Sequence, residues 1–121
     1  MIVAGFGFRS AATPASLEAA LALARSGLPG IDALAVPDDK AAAFAAFANP
    51  TGLPVIAVSA EALSAAHTLT HSPASQAARK TGSVAEAAAL AAAGTGACLL
   101  TPRHISPDRS ATCAIAQGPR P

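Results

Sequence analysis

With 121 residues there is room for one domain, and residues 1–121 read as a single unit able to bury a core without metal or disulfide staples. The formal net charge of +1 and the 3% aromatic content argue against a nucleic-acid partner, which calls for clustered cations and stacking rings. No apolar run approaches the ~20 residues that cross a bilayer.

Met1-Ile2-Val3-Ala4-Gly5 enters a strand-like run with no basic leader, so the expected location is the cytoplasm, with Cys98 and Cys113 reduced. The chain is 52% hydrophobic, but much of that is alanine, and there is no Trp or Tyr and only four Phe. The large apolar side chains must therefore sit in short strands, with alanine-rich helices packed closely over them. Only 12% of residues are charged, which makes each charged residue informative.

Short β-like runs alternate with alanine-rich helical stretches along the chain, the pattern of an α/β sheet. Ile2–Ala4 is the first strand, followed by Gly5-Phe6-Gly7-Phe8-Arg9-Ser10, read as a glycine-rich loop. Thr13 is an N-cap with Pro14 at the first helical position. That helix buries Leu17, Leu21 and Leu28 and ends at Gly27. Ile31–Val36 is the second strand. Asp38 caps a helix carrying Phe44 and Phe47 that stops near Asn49-Pro50. Pro54–Val58 reads as a buried β-branched strand, and Ser59 caps a short helix to about Ala66.

His67–Ser72 reads as loop and Pro73–Arg79 as a further short helix. Ser83-Val84-Ala85-Glu86 is a capping box that opens a helix running to Ala93 and ending at Gly94. Ala97–Thr101 and Ala111–Ala116 are the last two strands. The connection Pro102–Ser110, with two prolines, fits a hairpin, so the final strand is expected to run antiparallel to its neighbour. The fold class is therefore a three-layer α/β/α sandwich with a mostly parallel five-stranded sheet, last strand antiparallel.

In open parallel sheets, ligands bind beyond the carboxyl ends of the strands. Gly5, Gly7, Arg9 and Ser10 follow strand one; Asp38, Asp39 and Lys40 follow strand two; Ser59 and Glu61 follow strand three. The Gly-x-Gly segment admits two readings. Its backbone amides can approach a ligand while Arg9 grips a carboxylate or phosphate, or it is a tight turn with Arg9 on the surface. Ser10 stands where a dinucleotide fingerprint needs a third glycine, and no Gly-Lys-Ser/Thr follows as a phosphate loop requires. Thr81-Gly82-Ser83, beside Lys80, is either an anion site at a helix start or simply a well-capped helix. His67 and His71 have metal-ligand spacing without a third ligand nearby, so no metal and no cofactor are expected. Asp38 and Asp39 suit acid/base chemistry, but a helix N-cap followed by a favourable first-turn acid explains both without catalysis.

Gly5-Phe6-Gly7-Phe8-Arg9 resembles the opening of the C-terminal domain of the cobalamin-biosynthesis protein CbiG and of its stand-alone relative CobE. Asp38-x-Lys40, Val58-Ser59-Ala60-Glu61, Thr81 to Ala89 and Ala111-Thr112-Cys113-Ala114-Ile115-Ala116 resemble later blocks of that family. Five blocks in order cover essentially the whole chain. The resemblance implies a three-layer α/β/α fold and a place in corrin-ring assembly. It also implies that the upstream half of CbiG, whose full-length relatives open a lactone on a cobalt-precorrin, has no counterpart here.

Three functions compete. The first is a binder or carrier of a precorrin or hydrogenobyrinic acid-type tetrapyrrole, with Gly5, Phe6, Gly7, Phe8, Arg9, Ser10, Lys40, Ser59, Thr81, Gly82 and Ser83 lining the site. The second is a precorrin hydrolase with Glu61, Asp38 or Glu86 as acid/base and Arg9 as carboxylate anchor. The third is a module docking through its alanine-rich surface onto another cobalamin-pathway enzyme, a precorrin methyltransferase.

Overall fold

The first strand, β1, spans Ile2–Phe8 and is buried from Ile2 to Gly7. It is followed by α1 (Pro14–Arg25), β2 (Ala33–Pro37), a single 3-10 turn (Asp38–Lys40), α2 (Ala41–Thr51), β3 (Val55–Val58), α3 (Ala60–Ala65), α4 (Val84–Ala93), β4 (Cys98–Ile105) and β5 (Ala111–Gln117). The computed structural model describes residues 1–28, 30–66, 84–94 and 96–118. The expected loop at 67–72, the helix at 73–79 and the Ser83 side of the capping box lie outside them.

The five strands form one sheet in the order β3-β2-β1-β5-β4. β1 pairs in parallel with β2 (Ala4 opposite Leu34), and β2 with β3 (Ala35 opposite Ile56). β5 is inserted antiparallel between β1 and β4, with Gly5 opposite Ala114. Four strands therefore point one way and only the last runs against them, as expected. α1 and α2 cover one face, where Phe6, Leu17, Leu21, Phe44, Phe47 and Ile115 form the larger core. On the other face Val3, Ala35, Val58, Leu63, Ala87 and Ala88 pack together, bringing α3 and α4 onto the sheet. The helices between β1, β2 and β3 lie on one face and the return to β4 passes over the other, as right-handed crossovers require.

The reading of Gly5–Phe8 as loop is corrected: the strand continues to Phe8. Alternation gives these residues two jobs. Phe6 and Phe8 point to the α2 side, where Phe6 lies 5.0 Å from Phe44 and 5.6 Å from Phe47, centroid to centroid. Gly5 and Gly7 face α4. A Cβ on Gly5 would collide with the Ala85 carbonyl oxygen and sit 2.5 Å from the Ala89 nitrogen. Glycine is needed here because a helix backbone rests directly on the strand, and not because the chain turns.

α1 follows its sequence signals closely. Thr13 and Ser16 form a reciprocal capping box, Pro14 opens the helix, and Gly27 takes a φ of 75° just past its end. Asp38 is corrected: it makes no side-chain cap, because the chain first takes a 3-10 turn and α2 begins only after Lys40. Strand two is shifted to Ala33–Pro37.

β3 is also corrected. It is the edge strand, so only Val58 is buried and Val55 is 38% exposed. β4 extends through Pro102-Arg103-His104-Ile105, which was expected to be connection, leaving only 106–110 as the turn. The prolyl residue is tolerated because β4 is the opposite edge and bulges there, with Thr101 opposite Ile115 and His104 opposite Cys113. His104 is thus a strand residue whose Nε2 lies 2.9 Å from Thr101 Oγ1.

Candidate functional site

The carboxyl ends of β1, β2 and β3 lie along one edge of the sheet, and β4, which runs the same way, ends there too. Phe8 closes β1, half-buried and stacked on Phe44 with centroids 6.0 Å apart. Lys40, from the turn after β2, places its Nζ 5.3 Å from the centre of the Phe8 ring. A cation held over an aromatic face in this way is worth about 0.5–1 kcal/mol at an exposed position. Arg9 and Ser10 follow, both exposed, and the Arg9 amide donates to the Ser110 carbonyl at 2.9 Å. The edge thus carries a half-buried aromatic ring with a lysine over it and an exposed arginine next in the chain.

Asp38 stands exposed one residue after Pro37, which is in register with Val58; Ser59 and Glu61 follow Val58 on the neighbouring strand end. Ser59 Oγ accepts from the Ala62 amide at 3.1 Å, capping α3, and Glu61 sits exposed in that helix's first turn. Asp38, Ser59 and Glu61 are therefore brought to adjacent strand ends. Gly5, Phe6 and Gly7 are buried within the sheet, beneath the helices of the two faces. Thr81, Gly82 and Ser83 lie outside the described residues.

Glu86 is separate from the other carboxylates. It is fully buried in the first turn of α4, and its Oε2 accepts from the Arg103 amide at 3.1 Å. The β4 bulge takes Arg103 out of the strand ladder, and the glutamate collects the displaced N–H. A buried carboxylate needs such donors to offset its lost hydration.

Sequence reasoning missed the turn between β4 and β5. Asp108 accepts from the hydroxyls of Ser16 and Ser106, both at 2.5 Å, from the Ser110 hydroxyl at 2.8 Å and from the Ser110 amide at 3.1 Å. These bonds hold its carboxyl well below the usual carboxylate range, with Ser106 the largest contributor and Ser16 next. One of those donors, Ser16, belongs to the capping box of α1, so the turn is tied to that helix's first turn. Ser106-Pro107-Asp108 is a composition that marks turns, and that was the available signal.

The family model described as cobalamin synthesis G C-terminus matches residues 2–116. The chain belongs to this family. The crystal structure of CobE, a protein from the cobalamin (vitamin B12) biosynthetic pathway, superposes with a TM-score of 0.83 at 30% identity, covering 96% of this chain and 89% of CobE. The cobalamin biosynthesis protein chiG from Agrobacterium tumefaciens gives a TM-score of 0.75 at 33% identity, covering 99% of this chain and all of chiG. No curated protein matches the chain. It is a cobalamin-biosynthesis protein of the CobE/CbiG type, and its mixed five-stranded sheet is the fold of those neighbours. Among the described residues no helix is long and apolar enough to cross a membrane.

Proposed function

We propose that this chain binds a polycarboxylated tetrapyrrole of the corrin pathway and holds it for the next enzyme. The observation that carries this reading is the Phe8 face, covered by Lys40 and followed by Arg9, at the carboxyl edge of a sheet of this family. A precorrin or hydrogenobyrinic acid is a broad, partly apolar ring rimmed by acetates and propionates. Such a ligand asks for an apolar surface and a few well-placed cations rather than a dense basic patch, and a fixed guanidinium suits its carboxylates best. Ser10 and Ser59 add hydroxyls along the same edge, and Thr81, Gly82 and Ser83 join on sequence grounds. Gly5, Phe6 and Gly7 serve by shaping β1 beneath them.

A second reading, hydrolysis of a precorrin, is favoured by one observation, the carboxylates of Asp38 and Glu61 on adjacent strand ends. Glu86 suits that role less, being enclosed and bonded to the Arg103 amide.

Titration of the protein with hydrogenobyrinic acid and earlier precorrins, followed by absorbance, tests both. The expected result is a saturable spectral change without turnover, weakened about tenfold in Arg9→Ala, the loss of roughly one charge-assisted hydrogen bond. Repeated conversion of a precorrin would favour the hydrolase. No spectral change with any of these ligands would overturn the carrier reading and direct attention to docking on a pathway enzyme.

A further inference from the structure

Arg109, in the turn between β4 and β5, has a φ of 63°, a left-handed backbone that no other non-glycine residue among those described adopts. Glycine or asparagine would be at ease there, whereas a long side chain is not. The turn nevertheless fixes it. The Arg109 amide donates to the Ser106 carbonyl at 2.8 Å, and the Ser106 amide donates to Ala111 at 2.9 Å. Asp108, the residue before it, is held by the three serines already described. A backbone conformation that is unfavourable for its own residue, and imposed by its surroundings, is a mark of a functional position.

Two further observations say what the position does. Phe8 pairs with Ala111, and the Arg9 amide donates to the Ser110 carbonyl, so Arg9 lies across from the residue that follows Arg109. Both arginines are exposed, and neither side chain has a hydrogen-bond or ion-pair partner among the described residues. The one carboxylate adjacent to Arg109 in sequence, Asp108, is occupied by neutral donors instead. The fold thus brings one arginine from just after β1 and one from the β4–β5 turn to the same end of the sheet, and among the described residues neither has an ion-pair partner.

We infer that Arg109 is a second carboxylate-positioning residue, acting beside Arg9 on the polycarboxylated ligand proposed above, on which reading this inference rests. Two arginines whose backbones are carried by one strand pair suit two carboxylates of one ligand, such as the acetate and propionate borne by one pyrrole-derived ring. Each guanidinium fork can hold its carboxylate through two parallel N–H bonds.

The test is titration with hydrogenobyrinic acid of the unsubstituted protein, Arg109→Gly, Arg109→Asn and Arg109→Lys, over a range of salt concentrations. Glycine and asparagine both suit the left-handed position, so an unfolding midpoint equal to or above that of the parent is expected for Arg109→Gly. The same variant should bind about tenfold more weakly or worse, with a shallower salt dependence. Arg109→Asn should repeat the loss, and Arg109→Lys should recover only part of it, since lysine keeps the charge without the fork. Unchanged affinity and salt dependence in Arg109→Gly or Arg109→Asn, while the parent binds, overturns this inference and leaves the carrier reading standing. If the parent itself fails to bind, the carrier reading falls and this one with it.

Discussion

Asp108 shows how much a single exposed carboxylate can organise when its partners are neutral. Its oxygens take hydroxyls from Ser16, Ser106 and Ser110 and the Ser110 amide, fixing the turn between β4 and β5 to the start of α1. Because these bonds favour the charged form, the folded-state pKa lies below the unfolded one, and the stabilisation is present above the unfolded value near 3.9. It declines as pH falls below about 4 toward the folded value. Urea midpoints of the parent and of Asp108→Asn should therefore differ at pH 7 and converge as the buffer is made more acidic. A constant gap across that range would mean that the charge on Asp108 is immaterial. Arg9 and Lys40 were legible as candidate cations from their places after two strands. Asp108 and Arg109 were not, because their roles arise from the hydrogen bonding of the turn and from its place opposite the end of β1.

Among the secondary-structure elements, β1 and α4 meet with helix backbone directly against strand backbone. Ala85, Ala88 and Ala89 are fully buried, and the helix backbone meets the strand where Gly5 has no side chain. Adding a methyl group there leaves no flexible side chain to give way, so the two elements must separate. Gly5→Ala should destabilise by about 1–3 kcal/mol or more, the range for overpacking, read as a lower urea midpoint with an unchanged slope. Equal stability would show that the helix can ride higher at no cost.

The caps Thr13, Ser59 and Gly27 were legible because they act within a few residues of themselves, whereas the 3-10 turn that replaces an Asp38 cap before α2 was not. Strand ends were less legible. Gly5 and Gly7 read as loop since their partner lies some eighty residues away in α4, and Pro102 read as a breaker since nothing local reveals that β4 is an edge with bulges. The exposure of β3 was hidden for the same reason, as a β-branched run is alike in a central strand and at a margin.

At the scale of the molecule, two cores of different character flank the sheet. The α1–α2 side is filled by Phe6, Phe44 and Phe47, whose rings tilt against one another at centroid distances of 5.0–5.6 Å. The α3–α4 side is filled mostly by alanines at close approach. Cys113 lies in the first of these and Cys98 is exposed, both as free thiols. Burial pushes the Cys113 thiol up, away from the reactive thiolate. A thiol-alkylating reagent should therefore add one label per native chain, at Cys98, and two in denaturant. Rapid labelling of Cys113 under native conditions would show that the larger core opens far more readily than its packing implies.

The place of β5 bears on how the protein comes into being. Its Thr112 hydroxyl meets the Gly7 carbonyl across 105 residues of chain, and the strand fills the gap between β1 and β4. During translation β1 is made before every element from α1 to β4, yet its second neighbour is made only after them. Until residues 111–117 emerge, one whole margin of β1 stays open in the nascent polypeptide. Closure of the sheet thus waits until the whole run from α1 to β4 has been made.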